Sequence, residues 1–250
     1  MKQTVYNLII LDESGSMSGI TQQTISGCNE TINTIKSSQQ ENAGTQDQKI
    51  SIFAFQSNKS NPSHYIIKNT PANDVRHITA DDYRPWGGTP LFDAIGSTLT
   101  DLRATIDKDT FAVGCVTIIT DGMENASRLY SADRVVRMID ELKEMGWNFS
   151  FIGANIDARS TSASLHIDHS LQFDQTVEGT EAMFEQESRS RRCWNSRIKA
   201  CISNIMAEAD DLDDENASAE SRERNRRNLI SRLKDASARS YFHPEDGDDI

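Results

Sequence analysis

Short runs of β-branched and aliphatic residues alternate along the chain with longer segments whose apolar positions recur every three to four residues. The first run, Val5 to Leu11, is unbroken and reads as a buried strand over 4–11. Ile25, Cys28, Ile32 and Ile35 follow at helical spacing and predict an amphipathic helix over 20–38. Polar residues 39–48 read as a loop, Lys49 to Phe55 as a second strand and Tyr65 to Lys68 as a third. The polar link between those two strands is too short for a right-handed crossover. The third strand is therefore expected to run antiparallel at a sheet edge.

Residues 70–90 carry no period and end in Pro85-Trp86-Gly87-Gly88-Thr89-Pro90. Leu91, Phe92, Ile95, Leu99, Leu102 and Ile106 then share one helical face. Thr89 is the expected N-cap of that helix, Pro90 its first residue, and Asp93 sits in its first turn facing the positive dipole end. Ala112 to Thr120 reads as a strand buried on both faces. A helix over 131–145, a strand over 147–152, a short helix near 158–165 and a weaker strand over 169–173 follow. Trp194, Ile198, Cys201, Ile202 and Ile205 are spaced to pack from a last helix over 178–206. Strands alternating with helices predict an α/β fold with a mostly parallel sheet covered on both faces.

After Met206 the pattern changes. Glu208, Asp210, Asp211, Asp213, Asp214 and Glu215 crowd together, a basic segment with Arg222, Arg224, Arg226, Arg227 and Arg232 follows, and Pro244 to Asp249 is acidic again. The expected division is a body over 1–206 and a charged tail over 207–250, partly helical or disordered. Within the tail, Leu229, Ile230 and Leu233 make one stripe that would dock a short helix.

Composition narrows the function classes. A net charge of -12 excludes non-specific nucleic-acid binding, which needs clustered Lys and Arg. Cys28, Cys115, Cys193 and Cys201 form no C-x-x-C pair, so they read as reduced and mostly small core residues. The N-terminal apolar run is too short for a signal peptide, and no stretch approaches the roughly 18 residues of a membrane span. A cytoplasmic location without membrane contact is the expectation.

Candidate chemistry begins where the first strand ends, at Asp12-Glu13-Ser14-Gly15-Ser16. A carboxylate and two hydroxyls at alternate positions are hard oxygen donors of the kind Mg²⁺ takes. In a doubly wound sheet ligands bind beyond the carboxyl ends of the strands, where the strand order reverses. Asp121 closes the strand after the edge hairpin, and Thr89 opens the helix that feeds it. With the first strand between its two neighbours, all of these oxygens meet at that reversal.

Asp12-Glu-Ser14-Gly-Ser16, Gly87-Gly88-Thr89-Pro90-Leu91 and Ile119-Thr120-Asp121-Gly122, in this order and spacing, resemble the three parts of the metal-ion-dependent adhesion site of von Willebrand factor A domains. The resemblance covers roughly residues 3–205. It implies a Rossmann-like, doubly wound, six-stranded sheet with a single antiparallel edge strand. It also implies that Asp12, Ser14, Ser16, Thr89 and Asp121 hold Mg²⁺, with Mn²⁺ or Ca²⁺ as alternatives, directly or through water. The ion would then bind a Glu or Asp of a protein partner. Intracellular members of the family commonly serve as adaptors or subunits of larger assemblies, which is the implied setting.

Other readings compete for some of these residues. Mg²⁺ after the first strand also suits a hydrolase or phosphatase, but phosphatases of the haloacid dehalogenase type carry D-x-D there and this chain has Ser14 at the second position. There is no P-loop and no G-x-S-x-G elbow. A structural subunit with a relic site is the third reading. Trp86, Glu124 and Asn125 are candidate partner-binding residues at the rim, against a buried Trp86 and a polar helix-capping loop. Met123 reads as a packing residue. His166 and His169 read as a surface loop, since no Glu completes a metal motif. A carboxylate of the acidic run over 208–215 is a candidate for the open metal position, against a solvated linker.

Overall fold

The computed structural model describes residues 2–60, 62–106, 112–208 and 218–242. The acidic run from Asp210 to Glu215 and the acidic end from Pro244 lie outside them. In chain order the elements are β1 (Gln3–Asp12), a 3-10 helix (Gly15–Ile20), α1 (Thr21–Glu41), β2 (Gln46–Phe55), β3 (His64–Pro71) and α2 (Leu91–Ile106). Then come β4 (Val113–Thr120), α3 (Ala132–Lys143), β5 (Asn148–Ala154), α4 (Ala158–Ser164), β6 (His169–Phe173), α5 (Val177–Glu208) and α6 (Ala219–Ala238). They build one six-stranded sheet in the order β3-β2-β1-β4-β5-β6. Every pairing is parallel except β2 with β3, which puts the antiparallel strand at the edge, as the short link requires.

β1 alternates between two cores. Val5, Ile9 and Leu11 face the layer of α1, α5 and α6, while Tyr6, Leu8 and Ile10 face α2, α3 and α4. Both faces of the strand are therefore apolar, and the unbroken run in the sequence is the consequence. The order reverses at β1, whose Leu11 lies beside Ala54 on one side and Ile119 on the other. Asp12 and Asp121 thus leave adjacent strand ends.

Three elements differ from the expected pattern. β2 begins at Gln46, inside the segment read as a loop, because it buries glutamines. Gln48 N donates to Gln39 Oε1, Gln39 Nε2 donates to Gln46 O at 3.2 Å, and Asn7 Nδ2 donates to Gln48 Oε1 at 2.8 Å, so these polar groups are paired inside the fold. α2 begins at Leu91, and the backbone amides of Phe92 and Asp93 are satisfied by Glu124 Oε2 and Ser127 Oγ, both at 3.0 Å, so Thr89 does not act as its N-cap. Beyond α5, Leu229 and Leu233 of α6 are buried, as are Tyr241 and Phe242, which the hydrophobic pattern did not single out. Trp194 Nε1 donates to Ser237 Oγ at 3.3 Å and Ser237 Oγ donates to Gly146 O at 2.8 Å, tying this segment to the body.

Candidate metal centre

The loops after β1 and β4 and the turn before α2 meet over the carboxyl edge of β1. Asp12 is fully buried at the end of that strand. Its Oδ1 accepts from Ser14 N at 2.7 Å and its Oδ2 from Thr120 Oγ1 at 2.5 Å, while Tyr83 OH donates to its backbone carbonyl at 2.6 Å. Ser14 precedes the 3-10 helix but makes no capping bond; its hydroxyl lies 3.1 Å from Ser16 Oγ instead. Ser16 Oγ donates to Asp121 Oδ1 at 2.7 Å. Four of the five candidate ligands are therefore linked directly or through Thr120 and Asp121.

Thr89 is brought in from the other side. A side-chain carbon on Gly122 would fall 2.8 Å from Thr89 Oγ1, so only glycine lets the hydroxyl stand beside the Asp121 loop. Gly87, at φ 74, turns the Gly87-Gly88 segment so that its carbonyl accepts from Gly15 N at 3.0 Å. The Ser-containing loop and the Thr89 loop are thus joined by backbone. Asn125 Oδ1 accepts from Thr89 N at 2.9 Å, and Glu124 accepts from Phe92 N, Ala126 N and Ser127 N. Both residues were candidates for the rim, and both spend their side chains building it. Because Glu124 accepts from the amide of Phe92, the Thr89 hydroxyl is not spent as a cap and lies beside Gly122.

Trp86 stands at the rim with 66% of its surface exposed, and Met123, read as a packing residue, is 70% exposed. Glu13 turns the opposite way from Asp12. It is fully buried, and Gln56 Nε2 and Arg84 N donate to its two carboxylate oxygens. Its carbonyl accepts from Trp86 N at 2.8 Å, so it fixes the segment that leads to Thr89. His166 and His169 diverge: the first lies beside Asp140, the second against Ser237 O, and they share no site.

The donor set fits a hard divalent cation. It consists of oxygens alone, and neither Asp12 nor Asp121 has a Lys, Arg or His in ion-pairing distance among the described residues. Burial, with the neighbouring Asp121 charge adding to it, pushes the Asp12 carboxyl up to about 6 despite its hydrogen bonds. A buried carboxylate of that kind needs a positive partner, and no side chain among the described residues supplies one. Histidine and cysteine take no part, which argues against a soft or borderline metal.

Two residues of the site lay outside the candidate set. Thr120 precedes Asp121 in the motif itself, and its inward direction follows from strand alternation. Gln175 lies between β6 and α5, where its Nε2 donates to Asp121 Oδ2 at 2.6 Å and to Ser16 O at 2.8 Å. Nothing in the local pattern distinguishes it from any loop glutamine; only the fold brings it here.

Solved structures with a similar fold include the pilus adhesin SpaC from Lactobacillus rhamnosus GG, at a TM-score of 0.55 and 13% identity. A von Willebrand factor type A protein from Catenulispora acidiphila superposes at a TM-score of 0.51 and 14% identity. This chain has the von Willebrand factor A fold. Each match covers 76% of the chain, which spans 30% of the adhesin and 43% of the Catenulispora protein. No family model and no curated protein matches the sequence. Among the described residues no helix is long and apolar enough to cross a membrane.

Proposed function

We propose that this von Willebrand factor A domain is a metal-dependent protein-protein interaction module. Asp12, Ser14, Ser16, Thr89 and Asp121 hold Mg²⁺, with Mn²⁺ or Ca²⁺ able to replace it, and a Glu or Asp of a partner protein completes the site. The observation that carries this reading is a pair of buried carboxylates among hydroxyls with no cationic side chain beside them among the described residues. A bound ion supplies a Lewis-acid position for a carboxylate oxygen. The three hydroxyls are neutral and Asp12 supplies one direct negative charge, so with Asp121 bound through water the ion is left under-neutralised at its open position. An acidic domain can thereby bind an acidic partner, since salt screens the remaining charges beyond about 10 Å.

The surroundings support docking of a protein surface. Among the described residues the exposed large hydrophobics are Trp86, Met123, Leu129 and Val177. Trp86 and Met123 stand three and two residues from Thr89 and Asp121, and Val177 two from Gln175, so exposed apolar side chains flank the site's residues along the chain. The fold is shared with a pilus adhesin, and a place in a larger assembly is the corresponding expectation here. A hydrolytic role finds less support: Ser14 stands where a general acid would, and the nearby Glu13 is turned inward and bonded.

Titration of Mg²⁺ and Mn²⁺ into the full chain, followed by affinity capture with and without EDTA, tests the reading. Wild type should bind the ions and a partner, and Asp12→Ala should lose both. Failure of wild type to bind either ion at millimolar concentration overturns the proposal.

A further inference from the structure

Gln175 makes contacts that a loop side chain with no role would not need. Its two amide hydrogens point to Asp121 Oδ2 and Ser16 O, neither of which carries a hydrogen, so the orientation of the amide is fixed. Asn155 Nδ2 donates to Gln175 Oε1 from the far side. Asn155 stands directly after β5 with φ 54, a left-handed conformation that asparagine adopts more readily than most residues. Loops following β1, β4, β5 and β6 are thus joined through one glutamine.

The hydrogen of Ser16 Oγ is committed to Asp121 Oδ1, so Ser14 is the donor in the contact between the two hydroxyls. The remaining lone pair of Ser16 is then available to the site only while Asp121 stays where it is. Ser16 Oγ holds one oxygen of Asp121 and Gln175 holds the other. We propose that Gln175 is a positioning residue of the metal centre, and that Asn155 acts through it. Gln175 locks Asp121 as the acceptor for Ser16 and occupies an oxygen that would otherwise swing freely. This inference rests on the metal reading above and adds to it two residues, from the loops that follow β5 and β6, that no part of the motif contains.

Mn²⁺ titration of the full chain, read by the paramagnetic resonance of the free ion, separates the cases. Gln175→Leu should weaken Mn²⁺ binding about tenfold, the lower end of what outer-shell partners contribute. The melting temperature of the metal-free protein should stay that of wild type. Asn155→Gly keeps the left-handed backbone while removing the amide, and should weaken binding less. The double variant should bind like Gln175→Leu alone, because Asn155 has no other route to the ion. Wild-type affinity in Gln175→Leu, or a lowered melting temperature with affinity intact, overturns the assignment. Additive losses in the double variant overturn the role of Asn155. Absence of Mn²⁺ binding by wild type is a different result, since it overturns the metal reading itself.

Discussion

Asp12 and Glu187 are both buried carboxylates packed against the two central strands, yet only one of them has a cation at its side. Glu187, on α5, accepts from Arg191 Nε at 3.0 Å and Nη2 at 2.7 Å, from Thr117 Oγ1 at 3.1 Å and from Tyr241 OH at 3.2 Å. Arg191 in turn donates to Asn7 Oδ1 and Thr117 Oγ1, both at 2.8 Å. Charge is balanced and the cluster is closed to solvent. Asp12, five residues further along the same strand than Asn7, has hydroxyl and amide donors and the like charge of Asp121 nearby. A buried polar cluster that completes itself serves the fold, whereas one left short of a positive charge marks a place for a ligand.

The largest effect expected from this contrast is at the closed cluster. Arg191→Met removes the cation and leaves Glu187 buried without one, at a cost of about 3–5 kcal/mol. Urea unfolding would measure the loss, and the double change Arg191→Met with Glu187→Leu should restore much of it. If the single variant unfolds at the wild-type midpoint, the ion pair is not what closes the cluster.

At the open cluster the charge itself is the burden, so its removal should help. Asp12 titrates near 6 in the folded chain against 3.8 unfolded, which means the metal-free native state binds the extra proton between those values. Stability from this group is full below pH 4 and falls as pH rises through 6, by about 3 kcal/mol for the whole shift. Metal-free Asp12→Asn should lack this decline and exceed wild type in stability at pH 7.5. Saturating Mg²⁺ should reverse the order, because wild type alone gains the ion's binding energy. Thermal unfolding at pH 4, 6 and 7.5 with and without Mg²⁺ would show it, and a wild type that is the more stable at pH 7.5 without metal would break the comparison.

Hydrophobic period alone revealed the sheet, since its central strands are apolar on both faces and the helices on one. The edge strand followed from the length of its link to β2. The oxygen donors of the candidate centre were legible for a different reason: Asp12, Ser14, Ser16, Thr89 and Asp121 follow strand ends or open a helix, where topology converts position into proximity. Gln175 and Asn155 were not legible, because two side chains 20 apart in sequence meet only after β5 and β6 have paired. The start of β2 was missed because buried glutamines look like loop residues until Gln39 and Asn7 pair with them. Glu124 and Asn125 were expected at the rim, but their bonds to the amides of Phe92 and Thr89 were not legible, because nothing local shows that the turn into α2 needs its amides satisfied from a distant loop.

The smallest expected effect probes how far the closed cluster extends along the chain. Tyr241 follows α6, is fully buried, and packs its ring edge-on to Phe242 at 5.0 Å between centroids. Its hydroxyl is one of four donors to the same Glu187 oxygen, and Cys115 Sγ lies 3.6 Å from it. Tyr241→Phe keeps the ring and its packing but removes that hydrogen bond, so the loss should be about 1 kcal/mol. Arg191 still balances the charge, which is why the cost stays well below that of Arg191→Met. Mn²⁺ affinity should not change, because Asp12 and Asp121 lie five and six residues further along the chain than the cluster's Asn7 and Cys115, toward the carboxyl ends of β1 and β4. A loss equal to that of Arg191→Met would show that the segment after α6, rather than the ion pair, holds the cluster shut.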